Sequence, residues 1–233
     1  MLEVRNLVAR YGHFQALFGI DFDLVRGSIV ALIGANGAGK STFLRSIAGQ
    51  MPSKAGQIRF NSADIGALPS DEIVRMGISM VPEGRRLFRS LTVEENLKVG
   101  AFAGRNGRWT LDAVYALFPD LKERRTRPST TLSGGQQQMT AIGRALMSNP
   151  ELLLCDELSL GLSPAVVKDI YGILPRIRAE GISIVVVEQD IDMALKVADE
   201  VYCFMHGRVT LRGKPATLSK DEISAAYFGL EDH

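Results

Sequence analysis

Cysteine is scarce in this chain of 233 residues, with only Cys155 and Cys203, each embedded in an apolar, strand-like run. That placement reads as two buried thiols in a reducing compartment and argues against a disulfide framework. Tryptophan occurs once, at Trp109, most simply as a packing residue. An excess of one charge is also missing. Lys plus Arg (27) nearly balances Asp plus Glu (26), for a formal charge of +1, so no global field recruits nucleic acid or an anionic membrane. No uninterrupted apolar stretch approaches the roughly 20 residues that span a bilayer. The start, Met1 to Asn6, lacks the basic and apolar segments of a signal peptide. The expectation is a protein soluble by itself. Internal repeats and low-complexity segments are lacking too. What is present, 46% hydrophobic residues, is the composition of an ordinary globular protein with a full core, in one large domain or two small ones.

Loose alternation over Leu2 to Leu7 and clearer alternation over Phe18 to Leu24 suggest two antiparallel strands joined across Tyr11-Gly12. The apolar run Ile29 to Ile33 then leads into Gly34-Ala35-Asn36-Gly37-Ala38-Gly39-Lys40-Ser41-Thr42, followed by helical spacing at Phe43, Leu44, Ile47 and Ala48. A G-x-x-x-x-G-K-S sequence between strand and helix is a P-loop. Its glycines let successive N–H groups converge on phosphate oxygens at the positive end of the helix. Asn36, Gly37, Gly39, Lys40, Ser41 and Thr42 are thus candidate nucleotide-binding residues. Lys40 reaches the β- and γ-phosphates, and Ser41 offers a hydroxyl to Mg²⁺.

Short strands at Gln57 to Phe60 and Ile78 to Val81 bracket a helix from Pro69 to Met76. From about 85 to 150 the patterns turn helical, over Val93 to Val99, Leu111 to Phe118 and Gln136 to Leu146, which predicts a mostly helical subdomain inserted into an α/β core formed by 1–84 and 151–233. The Gly104 to Arg108 stretch is its expected exposed turn, with arginines forming a solvated tip. The core resumes with Leu152 to Glu157, a helix over Pro164 to Ala179, a continuous apolar strand over Ile182 to Val187, a helix over Ile191 to Ala198 and a terminal hairpin turning at His206-Gly207.

An apolar strand ending in Asp156-Glu157 is the expected companion of a P-loop, Asp156 holding the Mg²⁺ shell and Glu157 orienting the attacking water. Leu132-Ser133-Gly134-Gly135-Gln136 opens another helix and reads as a second phosphate site. One domain with one P-loop has use for a second anion site if that site closes over ATP held by a partner.

These three motifs together resemble the nucleotide-binding domain of ATP-binding cassette (ABC) ATPases, over nearly the whole chain. The resemblance implies a single ABC ATPase domain of α/β class, with an N-terminal antiparallel β subdomain and the helical insertion. It also implies a head-to-tail dimer sandwiching two ATP molecules, each between one P-loop and the other subunit's Ser133, Gly134, Gly135 and Gln136. Tyr11 matches the aromatic that stacks on adenine. More narrowly, Val81 to Phe88, Leu91 to Leu97, Leu158 to Pro164, Val187-Glu188-Gln189 and Ala226 to Gly229 are similar to the ATPase subunits of branched-chain amino acid importers. That implies an ATPase on the cytoplasmic face of the inner membrane. Its implied partners are a second copy or a paralogous ATPase, membrane permease subunits and, indirectly, a solute-binding protein, with no nucleic acid.

Four positions depart from the wider family. Glu83 stands for Gln as Mg²⁺ ligand, Leu158 for Pro, Ser163 for Asp, and Gln189 for the His of the γ-phosphate switch; Glu83 and Gln189 fit the importer pattern. Of the histidines, His13 lies between N-terminal strands, His206 in a hairpin turn and His233 at the end, so none is expected to replace Gln189. Catalysis is accordingly expected from Glu157, Gln189 and Lys40, and metal binding from Ser41, Glu83 and Asp156. The competing reading is a soluble ABC ATPase outside transport, whose tandem cassettes or long coiled coils are lacking here. An importer ATPase for urea or amides carries the same motifs. A P-loop kinase or GTPase is excluded by the second phosphate motif and the lack of a base-reading motif.

Overall fold

The computed structural model describes residues 1–229; His233 lies outside them. In chain order the elements are β1 (Leu2–Tyr11), β2 (Phe14–Leu24), β3 (Ile29–Ile33), α1 (Lys40–Ile47), β4 (Ile58–Phe60), β5 (Ala63–Asp64), α2 (Ser70–Met76) and β6 (Ile78–Val81). Then come α3 (Val93–Gly100), α4 (Leu111–Leu117), α5 (Pro119–Glu123) and α6 (Gly134–Leu146) without an intervening strand. The chain closes with β7 (Leu152–Asp156), α7 (Pro164–Ala179), β8 (Ser183–Glu188), α8 (Ile191–Val197), β9 (Glu200–Met205), β10 (Arg208–Gly213) and α9 (Lys220–Phe228).

Two sheets form. The first is antiparallel, in the order β2-β1-β4-β5, and the second runs β10-β9-β3-β8-β7-β6, parallel except for the edge strand β10. All residues of β3, β7 and β8 are buried, which explains their unbroken apolar runs: a parallel sheet is covered on both faces. Alternate side chains divide between two cores. Val30, Leu32, Leu154, Val185 and Val187 pack with α1 and the antiparallel sheet, where Phe22, Phe43, Tyr202 and Phe204 form a chain of ring contacts 4.7–5.4 Å apart. Ile29, Ala31, Ile33, Leu153, Cys155 and Val186 face the helices of the other layer. Cys155 and Cys203 are both buried and free, on β7 and β9 with two strands between them.

The Gly104 to Arg108 turn is largely exposed as expected, Arg108 included, but Arg105 is not solvated. Arg105 donates to the carbonyls of Asn149 (3.1 Å) and Arg75 (2.9 Å) and to Glu151 (3.1 Å), whose other oxygen takes Arg26 (2.9 Å). Arg108 pairs with Glu180. The local sequence reads as a polar turn, but the chain returns here against the start of β7, where a cation can cap exposed carbonyls. Trp109 is buried as expected. Helix α9 went unread because its apolar residues form no clear stripe, although Ser219 and Glu222 make the capping box that begins it. Among the described residues no helix is long and apolar enough to cross a membrane.

Helices α3 and α6 approach through glycine. A methyl group on Gly100 would overlap the carbonyl of Arg144, and one on Gly143 would press on Leu97 and Val114 at 2.8 Å. Gly100→Ala is therefore expected to destabilise the protein by about 1–3 kcal/mol, the usual cost of overpacking, read as a lower urea midpoint at unchanged slope; an unchanged midpoint would show that the helices have room to separate.

Candidate functional site

The carboxyl ends of β3, β8 and β7 lie side by side, with Ile33 opposite Glu188 and Val187 opposite Asp156. Gly34, Gln189 and Glu157 consequently leave the sheet in one row, at the edge where open α/β sheets hold ligands. A cleft of about 900 Å³ opens there, lined among others by Tyr11, Asn36, Gly37, Gly39, Lys40, Ser41, Thr42, Glu83, Glu157 and Gln189.

The loop from β3 to α1 needs its glycines for different reasons. Gly34 has φ of +146°, and a Cβ on it would collide with the carbonyl of Phe204 on β9. Gly39 has φ of +105° and lets the chain enter α1 with its N–H groups turned to the cleft. Lys40 is buried, and its ammonium donates to the carbonyls of Gly34 and Ala35, the latter at 3.0 Å. Burial lowers its pKa, opposed by the nearby carboxylates of Glu157 and Asp156. The Tyr11 hydroxyl lies 3.2 Å from that of Thr42, with the ring partly exposed at the cleft mouth.

Asp156 is buried behind the P-loop and accepts a hydrogen bond from the Ser41 hydroxyl at 2.9 Å. Its second oxygen, Oδ2, is buried without any hydrogen-bond partner. Burial raises its pKa, the Ser41 bond opposes this and the charge of Glu157 adds to it. A buried carboxylate oxygen left unpaired beside a serine hydroxyl, with Glu83 on the same cleft, fits a hard divalent cation. Among the described residues no cluster of three His, Cys, Asp or Glu side chains could hold a metal alone. That suits Mg²⁺, which uses one or two carboxylates and completes its shell with waters and phosphates.

Glu157 has left-handed backbone, φ +50°, and its N–H donates to Val187 at 3.2 Å. Its side chain therefore turns out of the sheet into the cleft, where Oε1 accepts a hydrogen bond from Gln189 Nε2 at 2.9 Å. Leu158, the departure from proline, is fully buried in the core and anchors the chain after this turn by packing instead of by a ring.

Ser133, Gly134, Gly135 and Gln136 do not line this cleft. They begin α6, where the Ser133 hydroxyl accepts from the Gln136 N–H (3.3 Å) and the Gln136 side chain accepts from the Ser133 N–H (3.1 Å). This capping box leaves the N–H groups of Gly134 and Gly135 outside its own bonds. Between the two regions runs the loop after Glu83, where Gly84, Arg85 and Arg86 all have positive φ. Arg144 on α6 holds it by donating to the carbonyls of Arg85 (3.0 Å) and Arg86 (2.8 Å).

Sequence reasoning missed part of the cleft wall. His206 and Arg208 line it with Phe14 and Phe18, so the hairpin turn does not keep His206 away from the site. The reason is topological: β9 pairs in parallel with β3 and so emerges at the same edge as the P-loop. The apolar run before His206 was the available signal. Gln189, not His206, contacts Glu157.

With this geometry established, a family model described as ABC transporter matches residues 17–159. The chain belongs to the ABC transporter family. It is an ATPase of that family, with the α/β cassette fold. It is 45% identical over 232 residues to the high-affinity branched-chain amino acid transport ATP-binding protein BraG of Pseudomonas aeruginosa, covering 98% of this chain and all of that one. The corresponding protein BraF of the same organism is 28% identical over 249 residues, 98% of each chain. A dimeric structure of an ATP-binding cassette in a post-hydrolysis state, bound to ADP and Pi, superposes with TM-score 0.80 at 25% identity, covering 92% of this chain and 99% of that one.

The unpaired Asp156 oxygen makes a stability prediction. Its folded-state pKa is raised, so the fold favours the proton: the group's contribution is full below the unfolded pKa and is lost as pH rises through the folded value. Without metal or nucleotide at neutral pH the buried charge is a cost. Asp156→Asn in EDTA should raise Tm by roughly 2–4 °C, corresponding to about 1 kcal/mol, with the gap to wild type narrowing as pH falls. A lower Tm in the variant would mean that the carboxylate stabilises the empty cassette.

Proposed function

We propose that this chain is the ATP-hydrolysing subunit of an importer for branched-chain or closely related amino acids, working on the cytoplasmic face of the inner membrane against separate permease subunits. The observation that carries the reading is the division of the phosphate-binding elements. Lys40, Ser41, Glu157 and Gln189 share one cleft while the α6 start at Ser133–Gln136 lies off it, an arrangement completed when a second cassette brings its own α6 over this nucleotide. BraG and BraF supply the motive for a heterodimer, since two unlike cassettes in one organism carry the same transport name. A solute-binding protein would act from the other side of the permeases.

In the hydrolytic step Lys40 neutralises charge developing on the β- and γ-phosphate oxygens, and the nest of N–H groups in Asn36 to Thr42 holds the phosphates. Tyr11 takes the adenine. Ser41, Asp156 and Glu83 would hold Mg²⁺, which would supply positive charge to offset that of the phosphates. Glu157 orients and polarises the attacking water. Gln189, whose amide donates to Glu157, is a fixed donor and positioner where a histidine would also take up a proton near neutrality.

Glu157→Gln should bind ATP without turnover and accumulate a closed dimer, with itself or with the paralogous cassette, visible by light scattering in Mg-ATP. A strictly monomeric variant at high concentration with the paralogue present would count against the sandwich. In transport, proteoliposomes carrying both cassettes and the permeases, with ATP inside and the solute-binding protein outside, should take up leucine; uptake of urea or amides alone would reassign the solute.

Gln189→Ala should lower turnover by roughly 10²- to 10³-fold with little change in ATP affinity, as loss of one aimed donor does. Gln189→His should remain active and gain a pH dependence between about 6 and 7.5, set by the imidazole. Near-normal hydrolysis by the alanine variant would remove Gln189 from the mechanism.

A further inference from the structure

One buried carboxylate in the molecule has no part in the scheme above. Glu188, the last residue of β8, is 1% exposed. Its Oε2 accepts a hydrogen bond from the Ser159 hydroxyl at 2.6 Å, and its Oε1 accepts from the Ser159 N–H at 3.3 Å and from the Tyr171 hydroxyl of α7. None of these partners is a cation. A carboxylate is an acceptor only, and here three donors converge on it. Burial of the charge raises its pKa, and the bonds from Ser159 and Tyr171 work against the rise.

The neighbours of this group give it a purpose. Glu188 is adjacent in the chain to Gln189, and Ser159 lies two residues beyond Glu157. Besides the bond from the Glu157 N–H to the Val187 carbonyl, the loop leaving β7 and the end of β8 are joined through side chains at two places, Gln189 with Glu157 at 2.9 Å and Glu188 with Ser159. The Gln189–Glu157 link is in the cleft, whereas the Glu188–Ser159 link joins a buried carboxylate to a partly exposed serine outside the cleft lining. Glu157 has left-handed backbone, so its side chain direction depends on how the following residues are held. Leu158 is fixed by packing, and Ser159 is fixed by Glu188. Tyr171 extends the tie to α7, which begins where this loop ends.

We infer that Glu188 is a positioning residue for ATP hydrolysis: by binding Ser159 and Tyr171 it fixes the loop after Glu157 against the end of β8 and so keeps Gln189 and Glu157 in register. This rests on the reading that Glu157 and Gln189 act in the hydrolytic step. Glutamine at 188 would have nearly the same shape, but it would force the Ser159 hydroxyl to turn from donor to acceptor and would remove the charge that strengthens all three bonds, loosening the tie without opening a cavity.

The test is steady-state phosphate release by the full chain with its partner cassette, alongside affinity for a non-hydrolysable ATP analogue and thermal unfolding. Glu188→Gln should lower kcat on the order of 10- to 100-fold, the range for groups that orient a site's ligands, with KM and analogue affinity within about twofold. Ser159→Ala should follow it, and Ser159→Thr, which keeps the hydroxyl and the N–H, should recover most of the rate. Because Glu188 acts through Gln189, adding Glu188→Gln to Gln189→Ala should cost little more than Gln189→Ala alone. Should Glu188→Gln fold poorly, Tyr171→Phe and the Ser159 pair carry the decision. The inference is overturned if Glu188→Gln or, failing that, Ser159→Ala keeps a kcat within twofold of wild type, if KM changes as much as kcat, or if the paired losses multiply. If Glu157→Gln and Gln189→Ala themselves hydrolyse ATP normally, it is the functional reading that fails; if both are impaired while Glu188→Gln is not, only the positioning role falls.

Discussion

The register of three parallel strands governs this protein. Strands β3, β8 and β7 are buried on both faces, so a shift by one residue would exchange the side chains of the two cores. With Ile33 held opposite Glu188 and Val187 opposite Asp156, the P-loop, Gln189 and Glu157 leave the sheet within a residue of one another. Every distance in the cleft descends from that alignment. The order matters as much as the register: β8 lies between β3 and β7, so Gln189 stands between the phosphate-binding loop and the acidic strand end.

Three buried ionisable groups near this edge, Lys40, Asp156 and Glu188, are each displaced against their charge by burial. Lys40 is shifted down, and Asp156 and Glu188 up. The three are satisfied to different degrees. Glu188 has three donors and works as part of the frame, whereas Asp156 has one oxygen bonded to Ser41 and one bonded to nothing. A fold that leaves a buried carboxylate oxygen unpaired accepts a cost of the order of 1–3 kcal/mol, a cost that a bound cation would relieve.

The helices between β6 and β7 share an apolar core with the parallel sheet, and a few specific contacts add to it. Gly100 and Gly143 bring α3 and α6 together, Arg144 holds the backbone after Glu83, and Arg105 ties the chain before α4 to Glu151 at the start of β7. The loop after Glu83 is thus tied to α6, and to the Ser133–Gln136 segment at its N-terminus, through two guanidiniums, that of Arg144 and that of Arg85, which donates to Gln138 at 3.3 Å.

By itself the sequence determined most of the elements, though not β5, α5 or α9, and the residue types of the motifs. Gly34 to Thr42 has the glycine, lysine and serine spacing of a P-loop, and its expected place between a strand and a helix is the one the structure shows, between β3 and α1. The uniform apolar runs of β3, β7 and β8 could only be strands of a doubly covered sheet. Local pattern also gave α7 to the residue, from Pro164 at its start to Gly181 beyond its end. What it could not convey was which polar residues would meet after folding. Arg105 looked solvated and became a clamp, His206 looked remote and came to the cleft rim, and Glu188 was read only as part of a motif although it binds Ser159 and Tyr171. In each case the partner lies 17 or more residues away in the chain, and only strand order and register bring them together. A side chain's type is written locally, but its neighbours are set by the tertiary packing of buried surfaces, which no local pattern records.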